Sequence, residues 1–388
     1  MRIAVNALFL RWGRVGGSEI ALAGLLGGLV AIAPQDRIRV YVARSEAKRE
    51  RFPAGVEVVG CGTRTRPRAG RIAWEQLVLP QRIARDGHDV LWNAGFTAPA
   101  LSPVPQVTSV YDLQHLVHPE HFRASHRIAW RVLVDLALAR SDRVVCASAA
   151  AGRDLVRSRP SVASRLRHVP LGVDPAWLEA SRDDPLPRWM ARVGVQPPFA
   201  LCVGTTHPHK GHAVLLDAWR RMVERGSRPP MLVLTGVRGF ADRRIGARVC
   251  ELGLGAHVRH LGWVPRAELA QLYRAARLVL MPTRFEGFGL PLLEALAQGA
   301  PVVASALPVL EETGGDAVCW VAPDDVAGWA DAVDALAADD VARARMASRG
   351  RVQAAGWTWE RAARGLRRVL VEAAYADGFV DGGESGGV

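Results

Sequence analysis

The chain has 388 residues, longer than a single hydrophobic core sustains, so two domains are expected. Hydrophobic residues make up 49% and charged residues 23%, which excludes disorder as the main state and excludes a fibrous protein. The net charge of +12 points either to an acidic partner (nucleic acid, anionic lipid or a phosphorylated substrate) or to a plain solvated basic surface; of the 50 basic residues only Lys48 and Lys210 are lysines.

Apolar runs alternate between strand and helix patterns from the start. Residues 2–9 read as a buried strand, Gly16-Gly17 as a turn, and Ser18-Glu19 as the opening of an apolar helix, with Ser18 as N-cap and Glu19 at its positive end. Strands are expected at 38–43, 56–59, 89–92, 106–111 and 144–148, and helices at 74–84 and 128–139. Pro175, Pro185, Pro187, Pro197 and Pro198 mark 175–198 as a linker. A second alternation follows, with strands at 199–203, 231–235, 258–261, 278–281, 302–304 and 319–321. Its helices fall at 212–225, 268–275, 291–298, 327–337 and 359–374.

The pattern predicts an α/β protein of two doubly wound Rossmann-like domains facing across a cleft. The first covers 1–174 and the second 199–358; a C-terminal helix over 359–376 is expected to cross back to the first domain, and 377–388 to form a flexible tail. Ligands of such sheets bind beyond the carboxyl ends of the strands. The five cysteines form no Cys-x-x-Cys pair, which argues against a zinc ribbon or a disulfide framework and fits a reducing compartment. The longest apolar stretch, 20–33, falls short of the roughly 20 residues of a membrane span and is interrupted by Gly24, Gly27 and Gly28. No signal peptide is recognisable, and a cytoplasmic protein is expected.

The most informative segment is Arg284-Phe285-Glu286-Gly287-Phe288-Gly289-Leu290-Pro291-Leu292-Leu293-Glu294. A strand leads into a glycine loop, and Pro291 suits the start of a helix because its missing N–H would have had no partner there. The amides of Gly287, Phe288, Gly289 and Leu290 then face outward at the positive helix end, an arrangement that binds phosphate. Glu286 on the loop and Glu294, expected in the first helical turn, are unsuited to touching a phosphate and suited to accepting hydrogen bonds from hydroxyls. Phosphate flanked by hydroxyls on both sides describes a nucleotide sugar, with Glu294 on the ribose and Glu286 on the transferred sugar. One glutamate alone would read as a helix-dipole or loop residue; the constellation reads as a site. Lys210 lies on the Gly204–Lys210 loop between a strand and a helix, where its ammonium can neutralise a diphosphate.

With these motifs the sequence resembles the family 4 glycosyltransferases, whose Glu-x7-Glu pattern stands here as Glu286 and Glu294. The resemblance extends over Gly16-Gly17, 169–174, 204–210, 261–264 and 315–317. It implies the GT-B fold, a retaining transfer from a nucleotide-diphosphate sugar to a glycan or lipid-linked acceptor, and no cofactor or metal. It further implies catalytic roles for Glu286 and Lys210 and, at the end of the 106–111 strand, for Asp112. Gly16, Gly17, Tyr111, Thr205, His209, the 287–290 loop and Glu294 would bind substrate. Thr205 and His209 stand where relatives carry an arginine beside the lysine, so the second cationic contact comes either from His209 or from an arginine elsewhere. Tyr111 stands where many relatives have histidine; Tyr111, His115 or His118 is the alternative contributor there, and loop packing accounts equally well for the two histidines.

No Asp-x-Asp occurs, and Asp183-Asp184, Asp324-Asp325 and Asp339-Asp340 read as caps or solvated pairs, so catalysis without metal is expected. The acceptor is expected on the first domain, basic at Arg11, Arg14, Arg64, Arg66, Arg68 and Arg71. The 64–71 run reads as an exposed loop, either meeting anionic lipid at the inner face of the plasma membrane or simply basic. A nucleotide-sugar epimerase or hydrolase is the main alternative. A dinucleotide oxidoreductase would need Gly-x-Gly-x-x-Gly at the first turn, and a nucleic-acid-binding protein would leave the Glu286/Glu294 loop unexplained. The resemblance leans toward bacterial polysaccharide or O-antigen mannosyl- and rhamnosyltransferases.

Overall fold

In the computed structural model, residues 1–388 are described except 14–15, 64–67, 112–123, 180–186 and 376–388. The chain divides into two units, Met1–Leu171 with Trp359–Val388, and Gly172–Thr358. The first unit carries strands β1 (Arg2–Asn6), β2 (Arg37–Ala43), β3 (Val56–Cys61), β4 (Val90–Asn93), β5 (Gln106–Val110), β6 (Arg143–Cys146) and β7 (Leu166–His168). They form one parallel sheet in the order β3-β2-β1-β4-β5-β6-β7. The second unit carries β8 (Phe199–Val203), β9 (Met231–Thr235), β10 (Val258–Gly262), β11 (Leu278–Met281), β12 (Val302–Ser305) and β13 (Val318–Val321). These too are all parallel, in the order β10-β9-β8-β11-β12-β13.

Central strands such as β4, β5, β11 and β12 are buried along their whole length, as expected of parallel sheets with both faces covered. In the second unit the core gathers Trp219, Met222, Leu215 and Leu216 from the His212–Glu224 helix with Trp329 and Val333 from the Val326–Ala338 helix. In the first unit the glycines that interrupt the apolar run at 20–33 are a packing seat. A Cβ on Gly24 would come within 2.2 Å of the Trp359 ring, and one on Gly28 within 2.5 Å of the Trp359 carbonyl. The Gly17–Ile32 helix can therefore lie directly against the Trp359–Ala374 helix, which closes this unit.

Several local expectations change. Ser18 is inside the first helix and Gly16 is the N-cap, without a side-chain cap; Glu19 is in the first turn as expected and also accepts a hydrogen bond from the Gly13 amide at 2.9 Å. The single helix expected at 74–84 is two helices, Arg68–Leu77 and Leu79–Asp86, because Pro80 lacks the N–H that a continuous helix would use. The stretch 175–198 is not a bare linker. It forms the short helices Pro175–Glu179 and Arg188–Arg192 and buries Trp177 and Met190 within the second unit, whose boundary falls after Leu171. Asp325 and Asp339 are helix N-caps, accepting from the amides of Gly328 and Ala342 at 2.9 and 2.8 Å. The expected flexible tail 377–388 lies outside the described residues.

Candidate active site

The second sheet reverses its order between β8 and β11: β9 and β10 extend to one side of β8, β12 and β13 to the far side of β11. The carboxyl ends of β8 and β11 therefore border the crevice where doubly wound sheets bind ligands. The two loops that leave these strands are stitched together. Gly211 follows the short turn Pro208–Lys210 at φ +69°, and a Cβ there would lie 1.8 Å from the Pro282 carbonyl oxygen, so glycine alone admits this approach. Across the seam, the Arg284 amide donates to the His209 carbonyl at 2.7 Å and the Thr283 hydroxyl lies 3.1 Å from the same oxygen.

The stitched loops bring together two of the three residues singled out as catalytic. Lys210 Nζ lies 2.5 Å from Glu286 Oε1, with side chains 20% and 11% exposed. The Leu290–Ala297 helix starts directly behind, with Gly289 as its left-handed N-cap at φ +91° and Pro291 in the first turn. Among the described residues no backbone carbonyl accepts from the amides of Phe288, Gly289 or Leu290. Positive helix end, ammonium and carboxylate thus share one crevice.

Glu294 departs from its expected place. It is in the second turn, 4% exposed, and both its oxygens are occupied: Oε1 accepts from Arg266 Nη1 at 2.8 Å and Oε2 from the Tyr273 hydroxyl at 3.3 Å. The Arg266 guanidinium in turn stacks over the Trp177 ring, 4.5 Å from its centroid. Burial pushes the Glu294 carboxyl up, and the Arg266 charge pulls it back toward ionisation. Arg266, Tyr273 and Trp177 escaped the sequence reading because they come from two helices, Arg266–Ala275 and Pro175–Glu179, that converge on a third.

His212 was also missed. It opens the His212–Glu224 helix beside Lys210, is 3% exposed, and neither ring nitrogen has a hydrogen-bond partner among the described residues. Burial, reinforced by the Lys210 charge, pushes the imidazole down to about 4, so it is neutral at physiological pH.

The remaining candidates are placed as follows. Thr205 is half-buried on the loop after β8. The buried His209 ring stacks on that of His207, with centroids 5.7 Å apart. Arg284, whose amide bonds to the His209 carbonyl, bonds through Nε to Asp324 Oδ1 at 2.6 Å and through Nη1 to the Pro208 carbonyl at 3.3 Å. Gly16, Gly17 and Tyr111 belong to the first unit. Burial pushes the Tyr111 phenol up, against a smaller opposing effect of the Ser109 hydroxyl. Asp112, His115, His118, Arg14, Arg64 and Arg66 lie outside the described residues. Arg68 is exposed at the first position of its helix, but Arg71 is 5% exposed and does not belong to an exposed basic loop, because it sits one turn further along the helix on its inner face. Among the described residues no group of three or more His, Cys, Asp or Glu side chains is placed to hold a metal ion, and no helix is long and apolar enough to cross a membrane.

Comparison with known proteins agrees with this architecture. The family model for glycosyl transferases group 1 matches residues 188–353, and that for Glycosyltransferase Family 4 matches residues 15–177. The O-antigen chain mannosyltransferase B of Escherichia coli is 38% identical over 163 residues, 42% of this chain and 42% of that protein. The D-inositol 3-phosphate glycosyltransferase of Nocardia farcinica is 34% identical over 238 residues, 59% of this chain and 52% of that protein. The chain thus spans about half the length of the curated relatives it matches. Among solved structures, HepE of Anabaena in complex with UDP-glucose superposes with a TM-score of 0.76 at 20% identity, covering 96% of this chain and 100% of that one. The architecture is the two-domain GT-B fold, and the chain belongs to the family 4 glycosyltransferases.

Proposed function

We propose that the chain transfers a hexosyl group from a nucleoside-diphosphate sugar to a hydroxyl of a glycan or lipid-linked acceptor, with retention, in the building of a bacterial surface polysaccharide. The observation that carries this reading is the Lys210–Glu286 pair at the β8/β11 switch point, in front of the Leu290–Ala297 helix. The similarity to an O-antigen mannosyltransferase and to a protein bound to UDP-glucose supports it.

In the free protein the ammonium and carboxylate neutralise one another. When the donor binds, Lys210 turns to the diphosphate and shares it with the helix amides, while Glu286 accepts from hydroxyls of the sugar. The bond from the anomeric carbon to the phosphate oxygen breaks, and the acceptor oxygen bonds to that carbon on the same face. The departing phosphate takes the acceptor proton, so no separate protein base is required. Positive charge from Lys210 and the helix end stabilises the leaving diphosphate, which is why we expect no metal. Glu294, kept in place by Arg266 and Tyr273, accepts from the ribose through its remaining lone pairs. Contact with anionic lipid through Arg64, Arg66 and Arg68 belongs to this reading; Arg71 does not.

A thermal-shift panel of GDP, UDP, dTDP, ADP and their sugars tests the reading. One nucleoside diphosphate and its sugar should raise the melting temperature, more so the tighter they bind. A response to NAD alone, or to none of them, would overturn it.

A further inference from the structure

The chain passes between its two units twice, at Leu171–Gly172 and at Thr358–Trp359. Within the second unit the two crossings lie side by side. The Val173 amide donates to the Trp357 carbonyl at 2.9 Å, and Val173 pairs with Thr358 as an isolated parallel bridge. A single bridge thus joins two short irregular segments, 171–174 and 356–358, and hinges consist of a few loop or element-terminal residues of this kind.

Trp357 also touches the donor loop. Its half-buried ring meets that of Phe288 edge-on, with centroids 5.5 Å apart and planes at 67°. Phe288 is 5% exposed, and its amide is one of those at the head of the Leu290–Ala297 helix from which no backbone carbonyl accepts among the described residues. The Phe288 carbonyl accepts from the Thr313 hydroxyl at 3.3 Å and the Thr313 carbonyl from Gln353 Nε2 at 2.9 Å; Gln353 lies on the Asp340–Ala355 helix, which ends two residues before Trp357. The far end of the Leu290–Ala297 helix is tied to the other crossing. There the fully buried Gln298 donates through Nε2 to the carbonyl of Trp177, four residues after Val173, at 2.7 Å. All of these residues belong to the second unit.

A shift of the phosphate-binding helix is therefore passed on at both ends. Close-packed side chains answer a displacement by moving their neighbours, because the interior has no slack to absorb it. A diphosphate drawn onto the Phe288 amide acts on the Trp357 ring, and through the Trp357 carbonyl on the Val173 amide. We propose that Trp357 is a positioning residue through which a donor bound at the Leu290–Ala297 helix fixes the paired crossings at Val173 and Thr358. This rests on the transfer reading above for the identity of the ligand. Coupling of this kind is reciprocal, so the state of the crossings sets donor affinity in turn. A tryptophan that only packs would hold the crossings equally with and without donor.

Hydrogen–deuterium exchange tests it, with GDP, UDP, dTDP and ADP as probes and a thermal shift on the same samples to show binding. In the parent protein the nucleotide that binds should slow the Val173 amide threefold or more, read in peptides over 170–178, together with the loop over 284–294. Trp357→Phe, which keeps a ring against Phe288, should do the same. Trp357→Leu should still slow the 284–294 loop, while its Val173 amide exchanges alike with and without nucleotide. Phe288→Leu, which removes the other ring and keeps the amide, should repeat that result and decides the matter if Trp357→Leu proves too unstable to purify. The proposal is overturned if nucleotide slows the Val173 amide in the leucine variants as it does in the parent, or if that amide is unmoved in the parent while the thermal shift shows binding. No thermal shift with any of the four diphosphates would sink the transfer reading and this coupling with it, so the two failures are told apart.

Discussion

His212 sets a stability change whose size can be worked out from its surroundings. An ordinary histidine titrates near 6.5, whereas burial and the neighbouring Lys210 hold this one near 4. A gap of 2.5 pH units at about 1.36 kcal/mol each corresponds to about 3.4 kcal/mol at most. The folded pKa lies below the unfolded one, so the stabilisation is complete above pH 6.5 and is lost as pH falls, because the unfolded chain takes up the proton first. By pH 5 the loss is about 2 kcal/mol, and it stops growing below about pH 4. His212→Phe removes the titrating group and also two unpartnered buried nitrogens, so the variant should be at least as stable as the parent at pH 7.5 and should gain about 2 kcal/mol on it by pH 5. Urea unfolding of both proteins at pH 7.5, 6 and 5 measures this difference, and the other histidines cancel in the comparison. Stability curves that run parallel across this range would refute the reasoning. At neutral pH the consequence for the site is that His212 adds no second positive charge next to Lys210, leaving the ammonium to Glu286 and the donor.

Three further outcomes are expected. Gly211→Ala should cost about 1–2 kcal/mol from its left-handed backbone alone, and the clash with Pro282 should spread the two loops and weaken nucleotide binding, read by urea unfolding and calorimetry on the same sample. Arg266→Met should leave Glu294 buried without its cation, lowering stability by about 1–3 kcal/mol and raising the donor KM more than it lowers kcat; an unchanged KM would remove Glu294 from the ribose site. Transfer activity should persist in excess chelator, and its abolition, with recovery on adding a divalent cation, would contradict the role given to Lys210 and the helix end.

The fold was largely legible because parallel strands buried on both faces read as short apolar runs, and β8, β9 and β11 fall where those runs lie. Boundaries were less so where a backbone detail decides: Pro80 splits a helix, and Gly16 takes the cap that Ser18 was expected to provide. Lys210 and Glu286 could be found because each sits on a glycine-bearing loop between a strand and a helix, a local pattern. What holds Glu294 could not, since the helix that carries Arg266 and Tyr273 meets Glu294 and Trp177 only through tertiary packing. The basic run 64–71 misled for a similar reason. Charge alone suggests exposure, but Arg71 falls on the inner face of a helix together with Glu75, and only the helical register reveals that.

The pairing of Lys210 with Glu286 is most directly tested by calorimetric titration of the parent protein and Lys210→Met with the responding nucleoside diphosphate and its monophosphate. If the ammonium turns from Glu286 to the diphosphate, the variant should lose roughly tenfold or more in diphosphate affinity, in line with a charge-assisted hydrogen bond, and little for the monophosphate. Equal diphosphate affinity in the two proteins would show that the donor lies elsewhere.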